Sequence, residues 1–186
     1  MPIRFRFDED RSVAAVVYLA SQQIDALDKY KLAKLLFLAD KFHLVRYGRP
    51  ITGDEYFALP YGPVPSAILN LLSRESGEGG TPLSGHLEVD RRFAHPRFSG
   101  RSGVPLTLDA LSKSDLKALS EVVRRYGRKS FDELKMITHG MPSYEKAWAN
   151  RGSDRRARMN FEEFFEEDSD AIEGMLDLMI EDAEFF

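Results

Sequence analysis

The sequence predicts an α+β fold, mostly α-helical: a single compact domain with a small antiparallel β-sheet or hairpin. Three observations carry this expectation. The stretch from Lys31 to Arg46 is apolar well beyond one helical stripe, which marks a helix at the centre of a core. Polar caps and glycine stops bracket further helical patterns on both sides of it. Between Asp54 and Leu108, aromatic and branched residues stand in short runs among Gly and Pro, which suits short strands and turns.

Taken in order, Arg11 to Ile24 reads as the first helix. Asp10 and Ser12 are its candidate caps, and Val13, Val16, Val17 and Ala20 share one face. Asp28 is placed to cap the second helix, in which Leu32, Leu35, Leu36, Ala39 and Phe42 follow helical spacing. Phe37, Leu38, Leu44 and Val45 extend its apolar surface. Gly48 suits the left-handed position after the last turn, and Pro50 prevents continuation. Asp54 to Leu59 alternates weakly and is aromatic, as in a short strand.

Pro60, Pro63 and Pro65 fix three φ angles in six residues, which predicts a rigid turn. Pro65 is suited to open a helix running to about Ser73. Ser76 to Ser84 is a loop. Leu87 to His95 and Val104 to Leu108 are the hairpin candidates, separated by Gly100 and Gly103. Ser112 or Ser114 caps a helix through Tyr126 that Gly127 stops, and Ser130 caps another from Phe131 to His139. Pro142 or Ser143 opens a short helix through Ala149. Arg151 to Arg158 is a polar, basic loop, and an acidic amphipathic helix begins at Phe161.

Composition narrows the function. A hydrophobic fraction of 43% suffices for a true core in 186 residues, so one domain, with or without a tail, is expected. The absence of cysteine removes disulfides and thiol chemistry. Met1 to Asp10 lacks the apolar centre of a secretion signal, and no run is long enough to span a membrane. A cytoplasmic protein without membrane contact is the expectation. The net charge of -4 conceals an asymmetry: Glu162 to Phe186 holds eleven acidic residues and no basic one. Without them, 26 basic residues face 19 acidic ones, so a basic body carries an acidic tail.

Catalytic patterns are not found. Asp40 and His43 lie on one helical turn, but no further residue completes a metal set. There is no Gly-x-Ser-x-Gly elbow and no phosphate-binding glycine loop. No catalytic residue, metal ligand or cofactor-binding residue is assigned, and no cofactor is expected. Basic clusters occur at Arg91, Arg92, Arg97 and Arg101, at Arg124 to Lys129, and at Arg151 to Arg158. They suit phosphate contacts, yet Phe131 to Met136 carries Asp132 and Glu133 where a recognition helix would be basic, and the pI is near 5.6. The expectation is against direct nucleic-acid binding and in favour of protein binding.

Three runs carry a family resemblance. They are Leu35-Leu36-Phe37-Leu38-Ala39-Asp40-Lys41, Tyr47-Gly48-Arg49-Pro50-Ile51-Thr52-Gly53-Asp54, and Tyr61-Gly62-Pro63-Val64-Pro65-Ser66. Downstream, Leu111 to Tyr126, Thr138-His139 with Tyr144, Ala147 and Trp148, and Met159 to Phe165 continue it. Together these resemble the Panacea domain, a family of SocA-like antitoxins and phage-associated proteins. The resemblance implies a non-enzymatic antitoxin of a toxin-antitoxin system, with a role in phage defence, that neutralises a cognate protein toxin by direct binding. Alternatives within the same resemblance are an adaptor that delivers a toxin to a ClpXP-type protease, and a DNA-binding regulator. No additional DNA-binding domain is evident.

The resemblance spans residues 11–165, leaving 166–186 as an acidic amphipathic helix packed on the domain or on a partner. Ile172, Met175, Leu176 and Met179 would form its apolar side. Candidate partner-binding residues are Tyr47, Arg49, Tyr56, Tyr61, Pro63, Trp148, Met175 and Met179. The amphipathic rings among them suit interfaces, although the same residues also suit core or turn packing. His139 and Trp148 are expected to pack as a pair.

Overall fold

Helix α2, Lys29–Tyr47, forms the axis of the fold, and its burial follows from the sequence. Leu32, Ala33, Leu35, Leu36, Phe37 and Ala39 are all at most 1% exposed, so no face of its middle turns reaches solvent. The computed structural model describes residues 3–77 and 80–165. Asp28 caps α2 by accepting from the Tyr30 and Lys31 amides at 2.9 and 2.8 Å, and Gly48 ends it at φ +76°.

Around α2 stand α1, Glu9–Ser21, α3, Ser66–Ser76, α4, Lys113–Tyr126, α5, Phe131–His139, and α6, Pro142–Ala149. Two small antiparallel sheets complete the fold. One orders β2, Gly62–Pro65, beside β1, Tyr56–Leu59, and β5, Ala157–Arg158. The other pairs β3, Leu87–Asp90, with β4, Arg97–Gly100. The expected mostly helical α+β class is therefore what forms. Among the described residues, no helix is long and apolar enough to cross a membrane.

Several boundaries differ from expectation. The cap of α1 is Asp8, whose carboxylate accepts from the Arg11 amide, so the helix starts earlier and ends at Ser21. The segment after Pro60 is a strand rather than only a turn. Pro63 and Pro65 lack an N–H, but β2 is an edge strand that pairs on one side alone, which tolerates them. Pro65 is consequently the cap residue of α3, not its first turn.

The β3 partner is Arg97–Gly100, not Val104 to Leu108. The Phe98 amide donates to the Leu27 carbonyl at 2.8 Å, so contacts with the α1–α2 connection fix that strand. The loop expected at Arg151 to Arg158 ends in β5, which the Met159 amide extends by donating to the Tyr56 carbonyl at 2.9 Å. Phe161–Phe164 forms a single 3-10 turn whose Phe161 and Phe164 are buried. The expected tail helix over 166–186 lies outside the described residues.

Candidate functional site

Three buried carboxylates fix the frame. Asp40 accepts from the Ile51 and Thr52 amides at 2.8 and 3.0 Å, from the Tyr56 hydroxyl at 2.9 Å and from the Thr52 hydroxyl. These donors tie α2 to the segment entering β1. Burial pushes the Asp40 carboxyl up to about 6, against the pull of its four donors. Asp54 accepts from the Ala67 and Ile68 amides at 3.0 and 2.9 Å, and so caps α3, whose own cap residue Pro65 supplies no side-chain bond.

Asp115 pairs with Arg49 at 2.9 Å and faces His43 Nε2 at 3.1 Å. His43 Nδ1 donates to the Arg49 carbonyl at 2.7 Å, and burial lowers the pKa of the ring. Asp40 and His43 thus have separate structural partners. Among the described residues, no group of three His, Asp or Glu side chains is placed to hold a metal.

The frame carries a hairpin to the surface. Strands β1 and β2 pair with Leu59 opposite Gly62, so only Pro60 and Tyr61 form the tip. Tyr61 is 65% exposed there. The Tyr144 hydroxyl donates to the Leu59 carbonyl at 2.8 Å and anchors the hairpin on α6. Gly62 takes φ +106°, and a Cβ there would lie 2.8 Å from Lys34 Nζ and 3.0 Å from Thr138 Oγ1.

Beside the tip lies a cleft of about 630 Å³. Tyr30 and Lys34 of α2, the hairpin tip, Phe131 at the start of α5 and Trp148 of α6 form its walls, and Arg151, Asp154 and Arg155 its rim. Arg151 places its guanidinium carbon 3.9 Å from the Trp148 ring centre, and Lys135 Nζ lies 5.0 Å from that of Tyr61. Such cation-ring contacts keep both aromatic faces oriented. His139, Tyr144 and Trp148 stack in sequence, with centroid separations of 4.4 and 6.1 Å, so Tyr144 separates the expected His139–Trp148 pair.

Lys34 is the unusual wall residue. It is 1% exposed, and its Nζ donates to the Pro63 carbonyl at 3.3 Å. Burial holds this amine down to about 7, with Lys135 adding repulsion and Asp28 opposing it. A second cleft of about 530 Å³ lies between the end of α1 and β4. It includes His86, Asp25 and Arg101 but only one aromatic ring apart from His86, that of buried Phe98. The Tyr61–Trp148 groove has the rings and cations suited to macromolecular contact.

The fold separates the sequence-based candidates. Tyr61 and Trp148 come together in the groove. Tyr56 is 1% exposed and bonded to Asp40, so it belongs to the core and is withdrawn from any contact surface. Pro63 is also buried, presenting its carbonyl to Lys34. Tyr47 is exposed and its ring lies 4.6 Å from that of His43, while Arg49 is engaged by Asp115; neither lines the groove. Met175 and Met179 lie outside the described residues. Lys34, Phe131 and Arg151 of the groove are not among the residues that the sequence marks for partner binding. A signal for Lys34 lies in its place among Leu32, Ala33, Leu35 and Leu36, in the stretch of α2 that is apolar beyond one stripe.

The family model for the antitoxin SocA-like, Panacea domain matches residues 32–149, more than half of the chain. Comparison with curated proteins and with solved structures gives no match. The matched span runs from α2 through α6 and contains the hairpin, Phe131 and Trp148. The chain belongs to the antitoxin SocA-like, Panacea domain family.

Proposed function

We propose that this chain is an antitoxin that inactivates a cognate protein toxin by direct binding, and that the Tyr61–Trp148 groove is its contact surface. The observation that carries the surface assignment is the exposed hairpin tip. An aromatic ring held in water at 65% exposure, beside a ring-lined cleft with a cationic rim, matches the composition of interface anchors. The buried carboxylates support this reading indirectly: their donors are occupied in holding the frame, leaving the groove for contact. In the same reading, the chain acts in the cytoplasm without catalysis, and residues 11–165 form the toxin-binding unit.

The test is to express the product of the neighbouring gene alone and together with this chain. Growth arrest by the neighbour, relieved by co-expression and accompanied by a purifiable complex, is expected. A neighbour that is harmless, or whose toxicity this chain does not relieve, refutes the antitoxin reading. Relief that occurs only when the cell's ClpXP-type protease is present, without a stable complex, replaces neutralisation by binding with delivery to proteolysis.

A further inference from the structure

Lys34 buries an amine that has few polar partners among the described residues. An ammonium offers three N–H donors, and here one carbonyl accepts. Its Nζ also lies 5.8 Å from the centre of the Phe131 ring. Among the described residues, no carboxylate stands within ion-pair distance of Lys34, although buried cations are ordinarily paired. The amine nevertheless lines the groove, beneath a hairpin position where only glycine leaves it room.

The surroundings are cationic. Lys135 approaches from α5, Arg151 and Arg155 from the segment after α6, and His139 adds an imidazole hydrogen-bonded to the Tyr61 backbone. Among the described residues, Asp154 on the rim and Asp28 at the start of α2 are acids near the groove, and Tyr30 and Tyr61 place hydroxyls on its walls.

Resting on the groove reading, we infer that the partner supplies an acidic-apolar peptide segment, whose carboxylate pairs with Lys34 while its apolar neighbours lie on Tyr61 and Trp148. Charge complementarity identifies the acid, and the ring-lined walls identify its apolar flanks. A compact carboxylate is favoured over a nucleic-acid backbone because the amine lies at a nearly closed site under the Gly62 backbone, not along an open basic track. Since the free amine titrates near neutrality, pairing restores its proton. Binding therefore takes up a proton above about pH 7 and weakens as the pH rises.

The probe is a capped Leu-Phe-Glu-Leu peptide, compared with its Gln counterpart by calorimetry on the full chain. At about pH 6 the Glu peptide is expected to bind about tenfold more tightly, as a charge-assisted hydrogen bond provides. That preference falls toward parity at about pH 9, where the amine is neutral without a partner. Lys34→Met, verified as folded by circular dichroism, retains binding of the Gln peptide and loses the preference. Tyr61→Ala weakens both peptides.

Equal affinities at the lower pH, a preference that persists in Lys34→Met, or binding of neither peptide overturns the inference. So does tighter binding of an oligouridylate at the same groove, read by competition with the Glu peptide. These outcomes are read on the isolated chain. Failure here leaves the co-expression result standing, whereas failure of co-expression leaves the Glu-over-Gln preference measurable.

Discussion

Replacing Lys34 by methionine keeps an unbranched stem of similar length and removes a buried amine. The amine is held at about 7 in the folded chain, against 10.5 for a free lysine. That difference corresponds to about 5 kcal/mol of destabilisation well below pH 7, at about 1.4 kcal/mol per pKa unit. The folded chain binds fewer protons than the unfolded chain between those values. Wild-type stability therefore gains from this group as the pH rises from about 7 to about 10.5, and the cost is full below about 7.

Methionine avoids that cost but loses the bond to the Pro63 carbonyl, worth about 1 kcal/mol. Lys34→Met should then be more stable than the wild type by about 3–4 kcal/mol at about pH 6. The advantage should shrink by up to about 1.4 kcal/mol per pH unit through the window and vanish near its top. Urea unfolding of both chains at several pH values gives the difference, and titrations common to both cancel in it. A difference that does not change between about pH 6 and pH 10 refutes the claim that the folded chain desolvates this amine. A stabilised variant that has lost carboxylate preference would mean that the chain retains Lys34 at a cost in stability.

Three further expectations concern the frame. Leu36→Ala, at a position 1% exposed in the central helix, should cost about 2–5 kcal/mol in urea unfolding; a loss well under 1 kcal/mol contradicts its place in the core. Gly62→Ala should destabilise by about 1–3 kcal/mol, because its Cβ meets the Lys34 amine and its φ is positive; an unchanged denaturation midpoint contradicts the described turn. Asp54→Ala should cost about 0.5–2 kcal/mol and speed amide exchange at Ala67 and Ile68, whereas unaltered exchange there means that Asp54 does not cap α3.

Local signals were the legible ones. Asp28, Ser112 and Ser130 cap helices where expected, and Ser112 and Ser130 form capping boxes with Asp115 and Glu133 three residues on. Strand β2 was less legible because its prolines argue against a strand, and only its edge position in the sheet removes the objection. Strand β4 is polar and short, and its pairing depends on Leu27, which lies far from it in sequence. At the site, Tyr56 and Tyr61 look alike as residues. One is bonded to a buried carboxylate and the other stands at a two-residue tip, a difference made by register alone. Lys34 acquires its role from Gly62 and Phe131, which approach it only in the folded chain.

If this antitoxin-family domain binds a toxin through the Tyr61–Trp148 groove, the groove's backbone must be shielded in the complex. Amide hydrogen exchange of the full chain, free and in complex with the neighbouring gene's product, reads that shielding residue by residue. Slowed exchange is expected at Tyr61 to Val64 and from Phe131 to Arg151. A stable complex whose new protection falls wholly elsewhere, with these segments exchanging as in the free chain, would contradict it.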